Sequence, residues 1–599
     1  MAGPTAPPED SDLTAYRVTV GGTPLPDYFQ LVVLVVSLEV NRIPSARIEL
    51  NDGDSAKRDF SISGGEVFKP GLAVQIELGY GSATEPVFSG FVAGQRIRMA
   101  TSGRYFLQVD VLHNVAKLNV GRNSAVYNDQ ADSAVLSNLF SAHGVQVSPP
   151  SGGASHAQLV QHYATDWDFA MARIQANGWV LAPQSADVKI LALAAAGSAT
   201  RGLEFGDNVH AFSLELDGMS QVPSVTCSAW SYAEQALISG QASSSNANSI
   251  GQYASSALAQ DVGNTAFKLQ TSAGLVQADV DAWAKAEVGR HEFAKVRGFV
   301  TYQGSNDTQP GDVVSLAGFG ETYNGTAYVA GIEHRVESGV WSTSARLGVA
   351  AVGFTECFET QAALASGVVP GVQGLLNGVV QAVSDDPGKS YRVKVSIPVW
   401  GQSAEPVWAR LGNAYASNQV GFVFYPEVGD EVILGFINGD PREPVIIGSA
   451  YSGSKKVPPL PPDQDNNQKG IVTRAKLKLL LDEQKPSVTI ETPGGRKFVL
   501  DDKTGTISLA DGAGNLLEMS SSGIKIQTSK KLTLSADQGI TATSSGGAIE
   551  LDAASQSVKA SAGTVEIQAQ QSVEVSGTLS ATLKSGMSTI IKGTMVEIN

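Results

Sequence analysis

Beyond Pro486 this 599-residue chain restarts a short apolar/polar alternation about every eight residues, and that rhythm restricts its possible folds more than any other feature. The units include Ile507-Ser-Leu509, Leu516-Leu-Glu-Met519, Ile524-Lys-Ile526, Leu532-Thr-Leu534, Ile549-Glu-Leu551, Val565-Glu-Ile567, Val573-Glu-Val575 and Val596-Glu-Ile598. Gly505, Gly514, Gly523, Gly539, Gly547, Gly563 and Gly577 punctuate them; Phe498 is the only aromatic after Tyr451, and no proline or histidine follows Pro493. About eight residues supply one strand and one corner, whereas a chain coiling on itself into a triangular layer needs three of each. Three chains winding together satisfy this, each giving one strand per layer and sealing its neighbours' edges. The expected axis is Ile524, Ile526, Leu532, Leu534, Ile549, Leu551, Val565, Ile567, Val573 and Val575. About twelve strands per face at ~4.8 Å make a stiff needle of roughly 60 Å. A sandwich of ordinary β-hairpins would call for bulkier side chains and more variable loops.

Upstream, composition sets bounds. The 42 Lys+Arg against 58 Asp+Glu give a net charge of −16, so a nucleic-acid or anionic-membrane binder would need a local basic patch, and none is evident. Apolar residues at 42%, charged ones at only 17% and 63 glycines suit many short strands joined by tight turns. With two cysteines, Cys227 and Cys357, there is neither a disulfide framework nor a four-thiolate zinc site; they read as two buried thiols, with one bridge left open. The amino terminus lacks the basic and apolar regions of a signal peptide, and the longest strongly apolar run, from Leu31 to Leu38, is far shorter than the ~20 residues that span a bilayer. Synthesis in the cytoplasm is expected.

One phrase occurs twice. Phe68-Lys-Pro-Gly71 leads into an alternating strand, a Gly79-Tyr-Gly81 reversal and the return Val87-Phe-Ser-Gly-Phe-Val-Ala-Gly94. Thr308-Gln-Pro-Gly311 leads likewise through Gly318-Phe-Gly320 to Tyr328-Val-Ala-Gly331. Pro70, Gly71, Pro310 and Gly311 are therefore the structural turns of one small antiparallel barrel used twice, and Pro426-Glu-Val-Gly429 is a looser third version. Between the copies, 131–144 and 167–178 read as helices ending at glycines, the second with Thr165 and Asp166 as N-cap candidates. A Ser/Ala/Gln/Asn stretch over 239–260 reads as an exposed connector, and 278–295 as a helix. From Tyr391 to Tyr451, about five short strands in roughly sixty residues have the size of an OB-type barrel. Its signature residues are Gly421, Pro426, Gly429, Asp430, Gly439, Asp440 and Pro441. Its bases are few and its aromatics sit among apolar residues as a core would, which disfavours nucleic acid.

The resulting fold class is mainly β: two small barrels with an α/β insert, an OB-fold barrel, and a carboxy-terminal triple-stranded intertwined β-helix of a homotrimer. The expected divisions are a flexible tail at 1–12, first barrel 13–120, mixed α/β domain 121–238, connector 239–275, helix plus second barrel 276–360, linker 361–389, OB-fold 390–452, neck 453–485 and needle 486–599.

No reaction centre emerges. Pro387-Gly-Lys-Ser390 ends like a phosphate-binding loop, but Val383 occupies the position of its first glycine. Asp166 and Asp168 flank Trp167 as an acid pair would, yet at a helix start they are better explained as cap and dipole partners. The seven histidines show no ligand spacing. Catalytic, cofactor-binding and metal residues are all expected to be none.

Taken in order, these parts resemble VgrG, the spike of contractile injection machines. The most specific marks are Gly421-Phe-Val-Phe-Tyr-Pro-Glu-Val-Gly-Asp-Glu-Val-Ile-Leu-Gly-Phe436 with Asn438-Gly-Asp-Pro-Arg442, and Gln309-Pro-Gly-Asp-Val-Val314 with Tyr328-Val-Ala-Gly-Ile-Glu-His-Arg335. Val40-Asn-Arg-Ile-Pro-Ser-Ala-Arg-Ile-Glu-Leu-Asn-Asp-Gly-Asp54 resembles the extracellular injection-system branch, the phage-tail-like particles. The resemblance implies a non-enzymatic homotrimer whose barrels form a hub on an inner tube ring and baseplate. It also implies a PAAR-type tip protein on Val596, Ile598 and Asn599, with effector cargo as a further partner, and a target membrane contacted mechanically within a particle assembled after cytoplasmic synthesis. Two features of relatives are missing: about 34 residues between barrel and needle leave no room for a lysozyme domain, and no histidine lies beyond His334 for an iron tip. The rival is a phage-type tailspike binding or cleaving a surface glycan, which would need paired carboxylates about 5 to 9.5 Å apart; a trimeric adhesin lacks export and anchor signals.

Overall fold

The computed structural model describes residues 13–151, 155–453 and 456–598, so the expected tail at 1–12 lies outside the described residues. The chain divides into two compact units, Met1–Ser449 and Ala450–Asn599. Among the described residues there are thirty-four strands and five α-helices, a mainly β fold.

In the first unit thirteen strands make one sheet. Alternation builds it: Leu34, Val36 and Leu38 of strand Leu31–Glu39, and Ala46, Ile48 and Leu50 of strand Ser45–Asn51, are buried while their neighbours are less so. Both copies of the duplicated phrase lie in this sheet. The second copy joins the amino-terminal half of the sheet where strand Gly325–Glu337 pairs antiparallel with Leu31–Glu39, Gly331 facing Glu39 and Glu337 facing Val33. Each copy keeps its own apolar core, one around Leu34, Ile48, Ile76 and Val109, the other around Val300, Tyr302, Val314 and Val329.

The duplication extends to individual hydrogen bonds. Gly71 and Gly311 have φ of 95° and 101°, the left-handed region a reversal of this kind demands at its third residue. Leu72 N–H donates to Lys69 O at 3.2 Å, and Asp312 N–H to Gln309 O at 3.1 Å. Gly71 N–H then donates to Val92 O and Val92 N–H to Leu72 O, both at 2.9 Å; Gly311 and Val329 repeat the exchange at 2.8 and 2.9 Å. The register slips just past each valine, between Val92 and Gly94 and between Val329 and Gly331. The looser third version has the same construction. Gly429 (φ 85°) exchanges bonds with Val380, at 2.8 Å to its carbonyl and 3.0 Å from its N–H to Asp430 O, and the slip falls between Val380 and Ala382.

The α/β insert carries helices Asp132–Ala142 and Asp166–Ala176, the second capped by Thr165, whose hydroxyl accepts from Asp168 N–H at 3.0 Å. Their apolar faces join Trp179, Leu181 and Ile190 in a third core. The stretch 239–260 is not an exposed connector. Residues 236–243 form a strand, Ser255–Asp261 a helix, and Asn248 and Ile250 are buried. The cause is the Glu292 carboxylate near the end of helix Gln277–Phe293: it accepts from Ser244 Oγ at 2.5 Å, Asn246 N–H at 2.7 Å, Ala247 N–H at 3.1 Å and Ser245 Oγ at 3.2 Å. Lys295 Nζ, buried beside it, donates to Asn248 O at 2.8 Å and Tyr253 O at 2.9 Å. Burial pushes that ammonium's pKa down and Glu292 opposes the shift. Low sequence complexity concealed a clasp of polar side chains.

Strands Leu376–Ala382, Val393–Ser396, Val407–Leu411, Pro444–Ser449 and Glu431–Phe436 close into a barrel around Val380, Val393, Val395, Ala409, Val432, Leu434 and Ile446.

In the second unit, seven strands from Gln468–Val472 to Gly523–Gln527 form an antiparallel meander, each pairing with its chain neighbour. Two expectations are corrected by it. The sheet begins inside the expected neck, and the first strands of the repeat are hairpins, the arrangement the side-chain sizes argued against. Gly495, Gly505 and Gly514, all at positive φ, permit the tight reversals that hairpins need. From 529 to 598 the chain carries no strand pairing and is exposed throughout.

Glycine replacements test the shared turn. A Cβ at Gly311 would lie 2.9 Å from Leu191 Cδ1, whereas at Gly71 or Gly429 it meets nothing within 4 Å. Gly71→Ala and Gly429→Ala should each cost about 1 kcal/mol for the left-handed backbone, and Gly311→Ala about 2 kcal/mol or more, read by chemical denaturation; equal losses at all three would contradict the packing difference. Glu292→Ala should cost about 3 kcal/mol and admit protease cleavage within 244–254. Unchanged protease resistance would show that the carboxylate does not hold the segment.

Candidate functional site

The sequence-expected site residues fall into two groups that the fold treats differently. In the barrel, Gly421 adopts φ 146°, and a Cβ there would stand 2.5 Å from Tyr415 O, so the reversal between strands Ala416–Ser417 and Val420–Gly421 requires glycine. Asp430 accepts from Glu427 N–H at 2.9 Å and locks the Gly429 turn, as Asp312 does with Gln309 N–H at 2.8 Å beside Gly311. Asp440 and Pro441 begin a second turn in which Asp440 accepts from Arg442 N–H at 2.9 Å and from its guanidinium at 2.6 Å. The Arg442 guanidinium holds the Asp440 carboxyl down to about 2. Gly439 O accepts from Val372 N–H at 2.8 Å, and Asn438 Nδ2 donates to Ser366 Oγ at 3.2 Å, so this turn seats the linker that enters the barrel. That docking, through consecutive left-handed Ala365 and Ser366, had no sequence signal beyond Gly367.

Among the aromatic residues of this barrel, Phe436 packs against the core but Phe422 and Phe424 do not. Phe422, Val423 and Phe424 are 55%, 76% and 56% exposed, a correction to the expectation that they fill the interior; the interior is taken by the β-branched residues and leucine of the strands.

Of the needle residues only Ile524 and Ile526 are paired within the single chain, opposite Met519 and Leu517. Ile524 and Ile526 end the meander, and Leu532, Leu534, Ile549, Leu551, Val565, Ile567, Val573 and Val575 lie in the segment without strand pairing, all exposed. Val596 and Ile598 are exposed too, and Asn599 lies outside the described residues. Apolar side chains and unpaired amides repeated over such a length are unfavourable in water unless other strands cover them.

Groups capable of chemistry are engaged elsewhere. Asp386 accepts from Gly388, Ser390 and Arg392 N–H groups and from the Arg392 guanidinium, which holds its carboxyl well below the usual range. The Pro387-Gly-Lys-Ser390 loop is thus wrapped around a carboxylate, where a phosphate would be repelled. Asp166 is more than a cap partner: it accepts from Gln161 at 2.8 Å and Asn123 at 3.1 Å, and lies 2.7 Å from His143 Nε2. Asp132 is fully buried, paired twice at 2.7 Å with Arg173, and near His156 Nε2 at 3.1 Å. Hydrogen bonds to these partners overcome desolvation and keep both carboxyls below their ordinary value. Apart from Gln161–Asp166, these pairings join residues 23 to 43 apart and could not be read from sequence spacing. Cys227 is buried, its thiol pushed up to about 12 by desolvation, but Cys357 is exposed, contrary to the reading of two buried thiols. Among the described residues no group of three or more His, Cys, Asp or Glu could hold a metal ion. No helix there is long and apolar enough to cross a membrane.

Both matching family profiles fall in the first unit, the second of them reaching two residues past Ser449. The profile of the Alg8 N-terminal domain matches residues 10–338, and that of the type VI secretion system/phage-baseplate injector OB domain matches residues 376–451. The type VI secretion system spike protein VgrG1a of Pseudomonas aeruginosa is 30% identical over 185 residues, 28% of this chain and 27% of that protein. The spike protein VgrG3 of Vibrio cholerae is 38% identical over 77 residues, 12% and 8% of the two chains. The actin cross-linking toxin VgrG1 of the same species is 38% identical over 72 residues, 11% of this chain and 6% of the toxin. These matches thus span about a quarter or less of each relative, and the cross-linking activity in the last name belongs to that protein. Among solved structures, the 43 kDa tail protein of prophage MuSo2 from Shewanella oneidensis aligns at 12% identity and a TM-score of 0.45, over 56% of this chain and 98% of that one. The E. coli c3393 protein, a type VI secretion system component, aligns at 13% and 0.37, over 72% and 99%. The chain is similar to VgrG-type spike proteins and carries the injector OB domain, and since the first profile covers more than half of its length, it belongs to the family of the Alg8 N-terminal domain.

Proposed function

We propose that this chain is the structural central spike of a contractile injection system, working as a homotrimer and without catalysing a reaction. One observation carries the reading: a regularly alternating, unpaired and wholly exposed segment, 529–598, in a chain that also holds a phage-baseplate injector OB domain. Two further copies would cover the apolar sides of that segment and pair its free amides, giving a needle whose stiffness comes from having no open strand edge. Force applied along it is then shared by layers of backbone hydrogen bonds.

In this reading the first unit forms the hub that meets an inner tube ring and baseplate. Val596 and Ile598 would meet a PAAR-type tip protein, with effector cargo as a further passenger. The particle is assembled from protein made in the cytoplasm, is released or fired outward, and meets the target membrane mechanically. A glycan-cleaving tailspike has no observation in its favour.

The particle mass in solution should be three times 62.4 kDa by light scattering; a well-folded single copy would end the proposal. Within the needle, Val565→Asp places three carboxylates on the axis and should cost several kcal/mol per trimer, lowering the melting temperature of the assembled form. Glu566→Gln, on the outward side of the same unit, should stay within about 0.5 kcal/mol of the parent. Equal effects of the two would mean that the alternation does not define an inside.

A further inference from the structure

The two copies of the duplicated barrel correspond strand by strand. Strand Val209–Leu216 pairs with Val296–Gln303 as Leu31–Glu39 pairs with Ser45–Asn51, and each ladder slips by one residue near its start, between Val209 and Ala211 and between Leu31 and Val33. Strand Ala83–Met99 corresponds to Gly325–Glu337, with Gly94 in the place of Gly331. Counting across the ladders puts Phe212 in the place of Leu34, Leu214 in that of Val36, Ile97 in that of His334 and Met99 in that of Val336. The copies differ in their partners. Residues 331–337 pair with Leu31–Glu39, whereas 94–99 and Val209–Leu216 each have a strand on one side only. Among the described residues no other backbone hydrogen bond reaches either of these edges. Exposure follows the pairing: Leu34, Val36, His334 and Val336 are at most 3% exposed, but Ile97, Met99 and Phe212 are 51%, 66% and 45% exposed. A Cβ on Gly331 would lie 3.0 Å from Leu38 O of the paired strand, while on Gly94 it would meet nothing within 4 Å.

We infer that the edge at 94–99 pairs antiparallel with Val209–Leu216 of a neighbouring copy, repeating between chains the joint that 331–337 and Leu31–Glu39 make within one. Copying the internal register sets Arg96 opposite Glu215, Ile97 opposite Leu214 and Met99 opposite Phe212. Backbone pairing alone dictates that register, yet under it a cation meets an anion and apolar side chains meet each other. Arg96 has no ion-pair partner among the described residues, and Glu215, already 2.9 Å from the Arg297 guanidinium, would hold both. Each chain offers one edge of each kind, so the joint is head-to-tail and closes into a ring when the rotation permits. The internal joint identifies the occupant as a second copy; only the count of three rests on the spike reading.

The test uses the full chain with exposed Cys357 changed to Ser. Met99→Cys is combined with Phe212→Cys or, one residue out of register, with Ser213→Cys, and the mass is measured in parallel. Mild oxidation should join M99C/F212C into two- and three-chain species at least about tenfold faster than M99C/S213C, because a shift of one residue turns the second thiol to the other face of the sheet. A three-copy particle in which the two double variants cross-link alike, or not at all, overturns the joint and leaves the spike reading standing. A particle of another size with the matched pair joined supports the joint and overturns the three-copy reading. A single-copy protein overturns both. If the cysteine variants fail to fold, hydrogen exchange on the unaltered chain decides instead. A paired strand protects consecutive amides over 95–99 and 211–215, whereas protection of only every second amide in an assembled particle refutes the pairing.

Discussion

Every backbone amide and carbonyl removed from water, or held in an extended strand, needs a partner, and the two units of this chain meet that requirement in opposite ways. The first unit meets it within one molecule: thirteen strands share a single ladder and five more close a barrel. The second meets it only as far as Gln527, where the meander ends and pairing stops. Beyond Gln527 the chain keeps a strand-like alternation without a strand-like partner, and this asymmetry is the physical basis for reading it as part of a larger object.

The buried charges of the first unit obey a related rule. A carboxylate taken from water must be given donors, and Glu292, Asp132 and Asp166 each receive several. In each case the donors come from segments distant in the chain, so the charge ties loops and helices that apolar contact alone would leave loose. Such sites resemble reaction centres in composition, but their acids and bases are spent on one another.

Sequence legibility tracked the range of the interaction. The Pro-Gly turns, the helix starts at Asp132 and Asp166 and the eight-residue rhythm were readable because backbone geometry and side-chain periodicity are local. Even the third turn at Gly429 was visible, though its partner strand precedes it in the chain. The Glu292 clasp was not readable, because a serine-rich stretch looks alike whether it is solvated or bonded to a carboxylate forty-odd residues away. The exposed aromatics of the barrel were misplaced for a different reason: periodicity assigns apolar residues to an inside without saying whose inside it is. The hairpins after Gln468 were missed because glycine punctuation fits a hairpin and a solenoid corner equally well.

The meander that precedes the unpaired segment has a consequence for how copies could come together. All of its ladders join neighbours in the chain, from Gln468↔Asp482 to Leu516↔Gln527, so each can zip up after closing only a short loop. In the proposed assembly every molecule would thus carry a self-made starting block, formed before any companion arrives, from which winding could begin in step.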